Sequence, residues 1–207
     1  MPDHGCLIAF EGVEGAGKST QLHLAAAALR ARGIDVMETR EPGGTPLGAE
    51  VRRLVMHRYD APPTALTELL LYLADRAQHV SEVIAPAMAR GQTVITDRFS
   101  ASTIAYQGYA RQLDLDSVCR LDAIARQGVE PRLTVLLDCP VEIGLQRVRG
   151  DDRFHREEAA FHERVRAGFL SLARQAAGRY CVIDATQSSA VVQQRVLEAM
   201  LQCLSNR

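Results

Sequence analysis

The sequence predicts one α/β domain: a three-layer α/β/α arrangement with a five-stranded parallel sheet in the middle. Two observations carry that expectation. Five short runs rich in apolar and β-branched residues recur along the 207-residue chain, bounded by Gly, Pro, Asp or Arg. Between them the apolar residues fall at helical spacing. Strands that alternate with helices are joined by right-handed crossovers, which lay helices on both faces of a parallel sheet. Such a sheet gathers its ligands at the carboxyl ends of its strands.

The runs are residues 6–10 (CLIAF), 36–39 (VMET), 93–96 (TVIT), 133–137 (LTVLL) and 180–183 (YCVI). Three of them are nearly continuous apolar stretches, as strands covered on both faces require. Residues 21–31 (QLHLAAAALRA), stopping at Gly33, and residues 66–89 (LTELLLYLADRAQHVSEVIAPAMA) keep an apolar stripe and read as helices. At 207 residues and 47% hydrophobic, the chain is near the size that one core can serve, so residues 1–207 are expected to form a single domain. Residues 147–158 (RVRGDDRFHREE) stand apart in composition. They interrupt two helical patterns and read as a short lid or as a solvated charged loop.

With 24 basic against 25 acidic residues, no whole-molecule positive field argues for nucleic acid or an anionic membrane. Any anion site must be local. No apolar run approaches the ~18 residues of a membrane span. The start, MPDHG, lacks the basic and apolar regions of a secretory signal, so the expected location is cytoplasmic. Cys6, Cys119, Cys139, Cys181 and Cys203 are scattered without metal-type spacing and read as reduced core thiols.

Residues 12–19, GVEGAGKS, fit GxxxxGK[ST] directly after a predicted strand and before a predicted helix. Gly12, Gly15 and Gly17 let the backbone turn its amides inward around phosphate oxygens. Lys18 supplies charge near the outer phosphates, Ser19 offers a hydroxyl to Mg²⁺, and Thr20 lies beside it. A carboxylate at Glu14 repels phosphate unless it faces another group; the alternative is an idle surface side chain.

Residues 94–107, VITDRFSASTIAYQ, put Asp97 and Arg98 just past a buried strand. Asp97 is a candidate for holding the metal or its waters, and Arg98 for clamping a phosphate; the alternative is a pair that caps the next helix. Tyr72 and Arg76 stand four residues apart on one predicted helix, where they serve either a planar base or a solvated stack. Arg149, Arg153 and Arg156 surround Gly150 and suit closure over a polyphosphate.

The motifs FEGVEGAGKST (10–20), TREPGGTPL (39–47), LLYLADRAQ (70–78), DRFSASTIAYQG (97–108), GDDRF (150–154) and VIDAT (182–186) together resemble the thymidylate kinase family, in the family's order. The resemblance implies a P-loop nucleoside-monophosphate-kinase fold, transfer of the γ-phosphoryl group of ATP to dTMP with Mg²⁺, and a homodimer. It assigns Gly12, Val13, Glu14, Gly15, Ala16, Gly17, Lys18, Ser19, Thr20 and Arg147 to ATP. Ser19 and Asp97 go to the metal. Arg98 and Arg40 go to the dTMP phosphate, with Pro42 beside them. Tyr72 stacks on thymine, Arg76 hydrogen-bonds to it, and Ser102, Thr103 and Gln107 lie close to it. Tyr106 crowds the sugar's 2′ position, and Glu14 contacts the 3′-hydroxyl.

Some family members carry an arginine in the phosphate loop where this chain has Gly15. The resemblance therefore points to the bacterial branch with its catalytic arginine in the lid, so Arg149 and Arg153 join Lys18 and Arg98 as catalytic candidates. Two further departures are QGYAR (107–111), where QGGGR is common, and His155, where an acidic residue often stands. The rival readings are a kinase of the same fold acting on dUMP, dCMP or a deoxynucleoside, and a non-catalytic GTP switch. No NKxD-type motif supports the switch.

Overall fold

Alternate residues of the first strand face two different cores, and that strand lies in the middle of the sheet. The computed structural model describes residues 5–57, 59–148, 154 and 157–205. Its strands are β1 (Cys6–Glu11), β2 (Val36–Arg40), β3 (Thr93–Asp97), β4 (Leu133–Asp138) and β5 (Tyr180–Asp184). They run parallel in the order β2-β3-β1-β4-β5. The helices are α1 (Lys18–Arg30), α2 (Pro46–Met56), α3 (Ala65–His79), α4 (Ala85–Ala89), α5 (Ser100–Thr103), α6 (Leu115–Arg126), α7 (Val141–Arg147), α8 (Ala159–Gln175) and α9 (Ser189–Ser205).

Cys6, Ile8 and Phe10 of β1 pack with Leu22 and Leu29 of α1, Val165 and Phe169 of α8, and Val196 and Met200 of α9. Leu7 and Ala9, pointing the other way, pack with Val80, Ile84 and Ala87 between α3 and the end of α4. The two-residue period of a strand thus sorts one sequence run into the two helix layers. A third cluster joins Leu69 and Leu73 of α3 to Val118 and Ala125 of α6.

All five strands lie where the sequence predicts them, and each runs one residue further. The added residues are Glu11, Arg40, Asp97, Asp138 and Asp184. A charged residue at the end of an apolar run reads as loop, yet here it closes the strand and lines its carboxyl edge. Burial on both faces holds for β1, β3 and β4, whereas the edge strands β2 and β5 bury only Val36 and Ile183 fully.

The helix predicted over 66–89 is continuous but passes through a π-helical turn, Val80–Ile84, just before Pro86. Proline gives no N–H, and its ring crowds the carbonyl one turn earlier, so the ladder widens there. A second π turn, Ile104–Ala110, carries Tyr106 and Gln107. All five cysteines are free, but only Cys6 and Cys139 are buried, and Cys119 is exposed on α6, which corrects the expectation of core thiols. Among the described residues, no helix is long and apolar enough to cross a membrane.

The QGYAR departure has a structural partner. Tyr109 lies in the second π turn without a positive φ, so no glycine is needed there. Its ring lies on Gly168 of α8, where a Cβ would come within 2.9 Å of Tyr109 Cδ2, and its hydroxyl donates to Ser171 Oγ at 3.1 Å. Gly168→Val should therefore destabilise the fold by about 1–3 kcal/mol through overpacking. Urea unfolding measures this, and Tyr109→Ala in the same chain should recover part of the loss.

Candidate active site

The pairing register of the sheet brings four functional segments to one edge. Phe10 of β1 and Arg40 of β2 both stand opposite Asp97 of β3, so the phosphate loop, the TREPGG segment and Asp97–Arg98 emerge side by side. β5 ends at the same edge, and the loop after it brings Ala185 and Gln187 to the same cavity. Its volume is about 640 Å³. Its wall includes every predicted site residue from Glu14 to Thr20, together with Arg40, Pro42, Tyr72, Arg76, Asp97, Arg98, Ser102, Thr103, Tyr106, Gln107 and Arg147. Gly12 and Val13 are absent from that wall; their carbonyls accept from Lys18 instead. Arg149 and Arg153 lie outside the described residues, as do Gly150, His155 and Arg156.

On one side of the cavity, Gly17 adopts a left-handed conformation that starts α1, and the helix N-terminus opens toward the loop. Lys18 is buried, with Nζ donating to Gly12 O at 3.1 Å and Val13 O at 2.8 Å. Burial, and then the neighbouring Arg98 charge, push its pKa below the ordinary value. Ser19 Oγ donates to Asp97 Oδ2 at 2.5 Å, so a hydroxyl and a carboxylate converge between the two sides. Arg147 Nη1 donates to Ala185 O at 2.8 Å, near Gln187 and Ser189, which the sequence reading did not single out. Their signal is topological: the loop after β5 must open into the same crevice as the loop after β1.

Gly15 explains one departure from the family pattern. Its φ is +70°, and a Cβ there would lie 1.9 Å from Gly144 O of α7. A Cβ on Gly144 would in turn lie 2.4 Å from Glu14 O. The loop and α7 thus touch backbone to backbone, and an arginine at position 15 does not fit without moving α7.

Across the cavity, Arg98 takes a left-handed φ of 73°, a conformation that costs a bulky residue about 1–3 kcal/mol. Its N–H donates to Phe10 O at 2.9 Å. Its guanidinium donates to Glu14 Oε1 at 2.5 Å, Ser102 Oγ at 2.9 Å, Gly12 O at 3.2 Å and Tyr106 Oη at 3.2 Å. Glu14 therefore faces Arg98 and Tyr106 and is not an idle surface group. Burial holds the Tyr106 hydroxyl protonated, with its pKa well above the ordinary value. Asp97 and Arg98 do not cap α5, which begins after Phe99 with no local side-chain cap.

Arg76 is 2% exposed, which rules out a solvated stack with Tyr72. Glu41 takes its Nε at 2.9 Å and its Nη2 at 2.7 Å. Thr103 and Asp122 take its Nη1 at 2.7 and 2.6 Å, and Phe99 lies 5.1 Å from its charge. Gln107 Nε2 donates to Glu68 Oε1 at 2.8 Å. Glu41 lines the cavity, Asp122 and Glu68 stand behind Arg76 and Gln107, and the sequence singled out none of the three. No local pattern reveals Asp122 and Glu68, because each acts on a side chain 39 to 46 residues away, whereas Glu41 stands inside the TREPGGTPL motif.

Glu11 was missed as well. It is fully buried and accepts from Phe99 N, Ser102 N and Ser102 Oγ. It thereby satisfies amides that the start of α5 leaves open. Burial outweighs those bonds and the Arg98 charge, and raises its pKa from 4.5 to about 7.

A phosphate loop that shares one cavity with an arginine-clamped polar site is the arrangement of a P-loop kinase, with one phosphorylated molecule seated on each side. A sequence model of the family described as "Thymidylate kinase" matches residues 10–196. The thymidylate kinase of Geobacter sulfurreducens is 45% identical over 212 residues, covering 98% of this chain and 100% of the relative. That of Teredinibacter turnerae is 47% identical over 203 residues (95% and 99%). That of Nostoc punctiforme is 46% identical over 201 residues (95% and 95%). The chain belongs to the thymidylate kinase family, enzymes of nucleotide biosynthesis that phosphorylate dTMP.

The folded state holds the Glu11 proton more tightly than the unfolded chain does. The resulting stability is fully present below about pH 4.5 and is lost as pH rises through about 7, amounting to about 3 kcal/mol. Between pH 5 and pH 8, unfolding stability should therefore fall more steeply in the wild type than in Glu11→Gln. Equal slopes in urea titrations contradict this.

Proposed function

We propose that the chain transfers the γ-phosphoryl group of Mg-ATP to dTMP, with ATP on the phosphate loop and dTMP on the Arg98 side. One observation carries the reading: Lys18 and Arg98 line the same cavity, and their segments meet at Ser19–Asp97 and Glu14–Arg98. Ser19 and Asp97 are hard oxygen donors of the kind Mg²⁺ takes, and they leave positions for phosphate oxygens and water. Among the described residues, no cluster of three His, Cys, Asp or Glu offers an all-protein cage. When bound, the ion neutralises phosphate charge.

In this reading Lys18 turns from the loop carbonyls to the outer phosphates of the donor. Arg98 and Arg40 align the acceptor phosphate for in-line attack. No strong base is required, because a phosphomonoester with a second pKa of about 6 is already ionised near neutral pH. Positioning and electrostatics supply the rate. Arg149 and Arg153 bring charge to the transferred group, a role supported by the lack of room for a side chain at Gly15.

Arg76 commits Nε to Glu41 and Nη1 to Thr103 and Asp122, which leaves Nη2, ion-paired with Glu41, as the nitrogen that can still donate. Gln107 donates one N–H to Glu68, which turns its NH₂ that way and leaves its carbonyl oxygen as the acceptor. A donor beside an acceptor matches the carbonyl and ring N–H of thymine and mismatches cytosine, whose polarity there is reversed. Tyr72 supplies the stacking face, Glu14 takes the sugar's 3′-hydroxyl, and Tyr106 crowds the 2′ position.

We place the enzyme in the cytoplasm as a homodimer. Support for the dimer comes from α3, which buries Leu69 and Leu73 yet leaves Leu66 and Leu70 53% and 50% exposed. Light scattering should give about twice the 22.7 kDa chain mass; the mass of a single chain contradicts the dimer.

In a coupled ADP-release assay with Mg-ATP, dTMP should be preferred over dUMP, dCMP and UMP. Lys18→Ala and Arg98→Ala should each lower turnover about 100-fold or more. Equal use of the four monophosphates, or unchanged turnover in either variant, contradicts the reading.

A further inference from the structure

Glu11 ends β1 one residue before the phosphate loop, and no step above uses it. Its Oε1 accepts the Phe99 N–H at 2.9 Å and the Ser102 N–H at 3.1 Å, while Oε2 accepts the Ser102 hydroxyl at 2.5 Å. All three donors come from the segment that follows Arg98. A serine hydroxyl has one hydrogen, and here it is committed to Glu11. Ser102 Oγ is therefore left with lone pairs only, and it accepts Arg98 Nη1 at 2.9 Å.

The site specifically requires a group that accepts at both ends. A glutamine of the same shape puts an NH₂ at one of the two oxygens, either unpairing both amides at the start of α5 or turning the Ser102 hydrogen toward Arg98. Burial disfavours the charged form of Glu11, with Arg98, Lys18 and Tyr180 as the charged or titratable groups nearest in effect. A buried carboxylate that weakens the fold and serves three donors beside a substrate clamp has the pattern of stability traded for function.

We propose that Glu11 is a positioning residue for the acceptor-phosphate clamp: through Ser102 and the amides of Phe99 and Ser102 it fixes the guanidinium of Arg98 where the monophosphate binds. This rests on the reading that Arg98 grips that phosphate. The phosphate loop also touches Arg98, at Gly12 O and Glu14, but Lys18 on the loop carbonyls and Ser19 on Asp97 hold it without Glu11. Disturbing Glu11 should therefore act on one substrate and spare the other.

The test is steady-state kinetics at pH 8 on the wild type, Glu11→Gln, Ser102→Ala, the double variant and Arg98→Ala, with thermal midpoints measured alongside. Glu11→Gln should raise KM for dTMP about tenfold, leave KM for ATP within about twofold, and melt no earlier than the wild type. In the Ser102→Ala background the same change should alter KM for dTMP less than about threefold, because the shared link is already cut. A residue that merely supports the fold would lower the melting point and leave both KM values alone. A Glu11→Gln enzyme with wild-type KM for dTMP, or with both KM values raised equally, overturns the proposal. If Arg98→Ala raises KM for dTMP while Glu11→Gln does not, only the role of Glu11 falls. If Arg98→Ala also leaves it unchanged, the assignment of Arg98 falls, and the role of Glu11 falls with it.

Discussion

The structure turns on the pairing of β1 with β3, which sets Phe10 opposite Asp97 and joins the two halves of the site at their roots. Arg98 N–H is bonded to Phe10 O, its guanidinium reaches Gly12 and Glu14 of the phosphate loop, and Glu11 reaches forward to Phe99 and Ser102. The phosphate loop and the segment from Arg98 to Ser102 are thus one hydrogen-bonded unit. A shift of one residue in that pairing would turn every side chain of β3 to the opposite face. Cys6, Ile8 and Phe10 pack in one helix layer and Leu7 and Ala9 in the other, so the core and the chemistry at its edge share one register.

The polar groups around the cavity are costly for the fold, and they are concentrated there. Glu11, Glu41, Glu68, Arg76, Asp122 and Lys18 are all buried, and each has partners that offset its loss of water. Asp75, behind the TREPGG segment, accepts from Gly43 N at 3.1 Å, and burial together with Glu41 raises its pKa to about 6. Such networks admit few alternative arrangements once every donor is spoken for. Arg76, bonded to Glu41, Thr103 and Asp122, is oriented before any ligand arrives. Pre-orientation of this kind reduces what binding must order.

The sequence made the sheet and the phosphate loop legible because both are local. An apolar run between breakers marks a strand, and GxxxxGKS between a strand and a helix marks a loop. It also singled out Arg98, Tyr72, Arg76 and Tyr106, which the structure brings to the wall of one cavity. What it hid depends on distance along the chain. Asp122 meets Arg76 across 46 residues and Glu68 meets Gln107 across 39, and neither acid differs in sequence from a surface residue. Glu11 stood within the quoted motif but outside the positions that the motif explains; an acidic residue ending a fully buried strand was the available signal. The charged strand ends and the two π turns were hidden because apolar periodicity reports burial, not where backbone pairing stops or widens.

The most direct test of the account is a crystal structure with dTMP and a non-hydrolysable ATP analogue bound together. The account predicts that the Arg98 guanidinium lies within hydrogen-bonding distance of the dTMP phosphate, that Arg98 keeps its left-handed backbone, and that Ser102 stays on Glu11. A monophosphate bound away from Arg98, or a Ser102 that leaves Glu11 when dTMP binds, would contradict it.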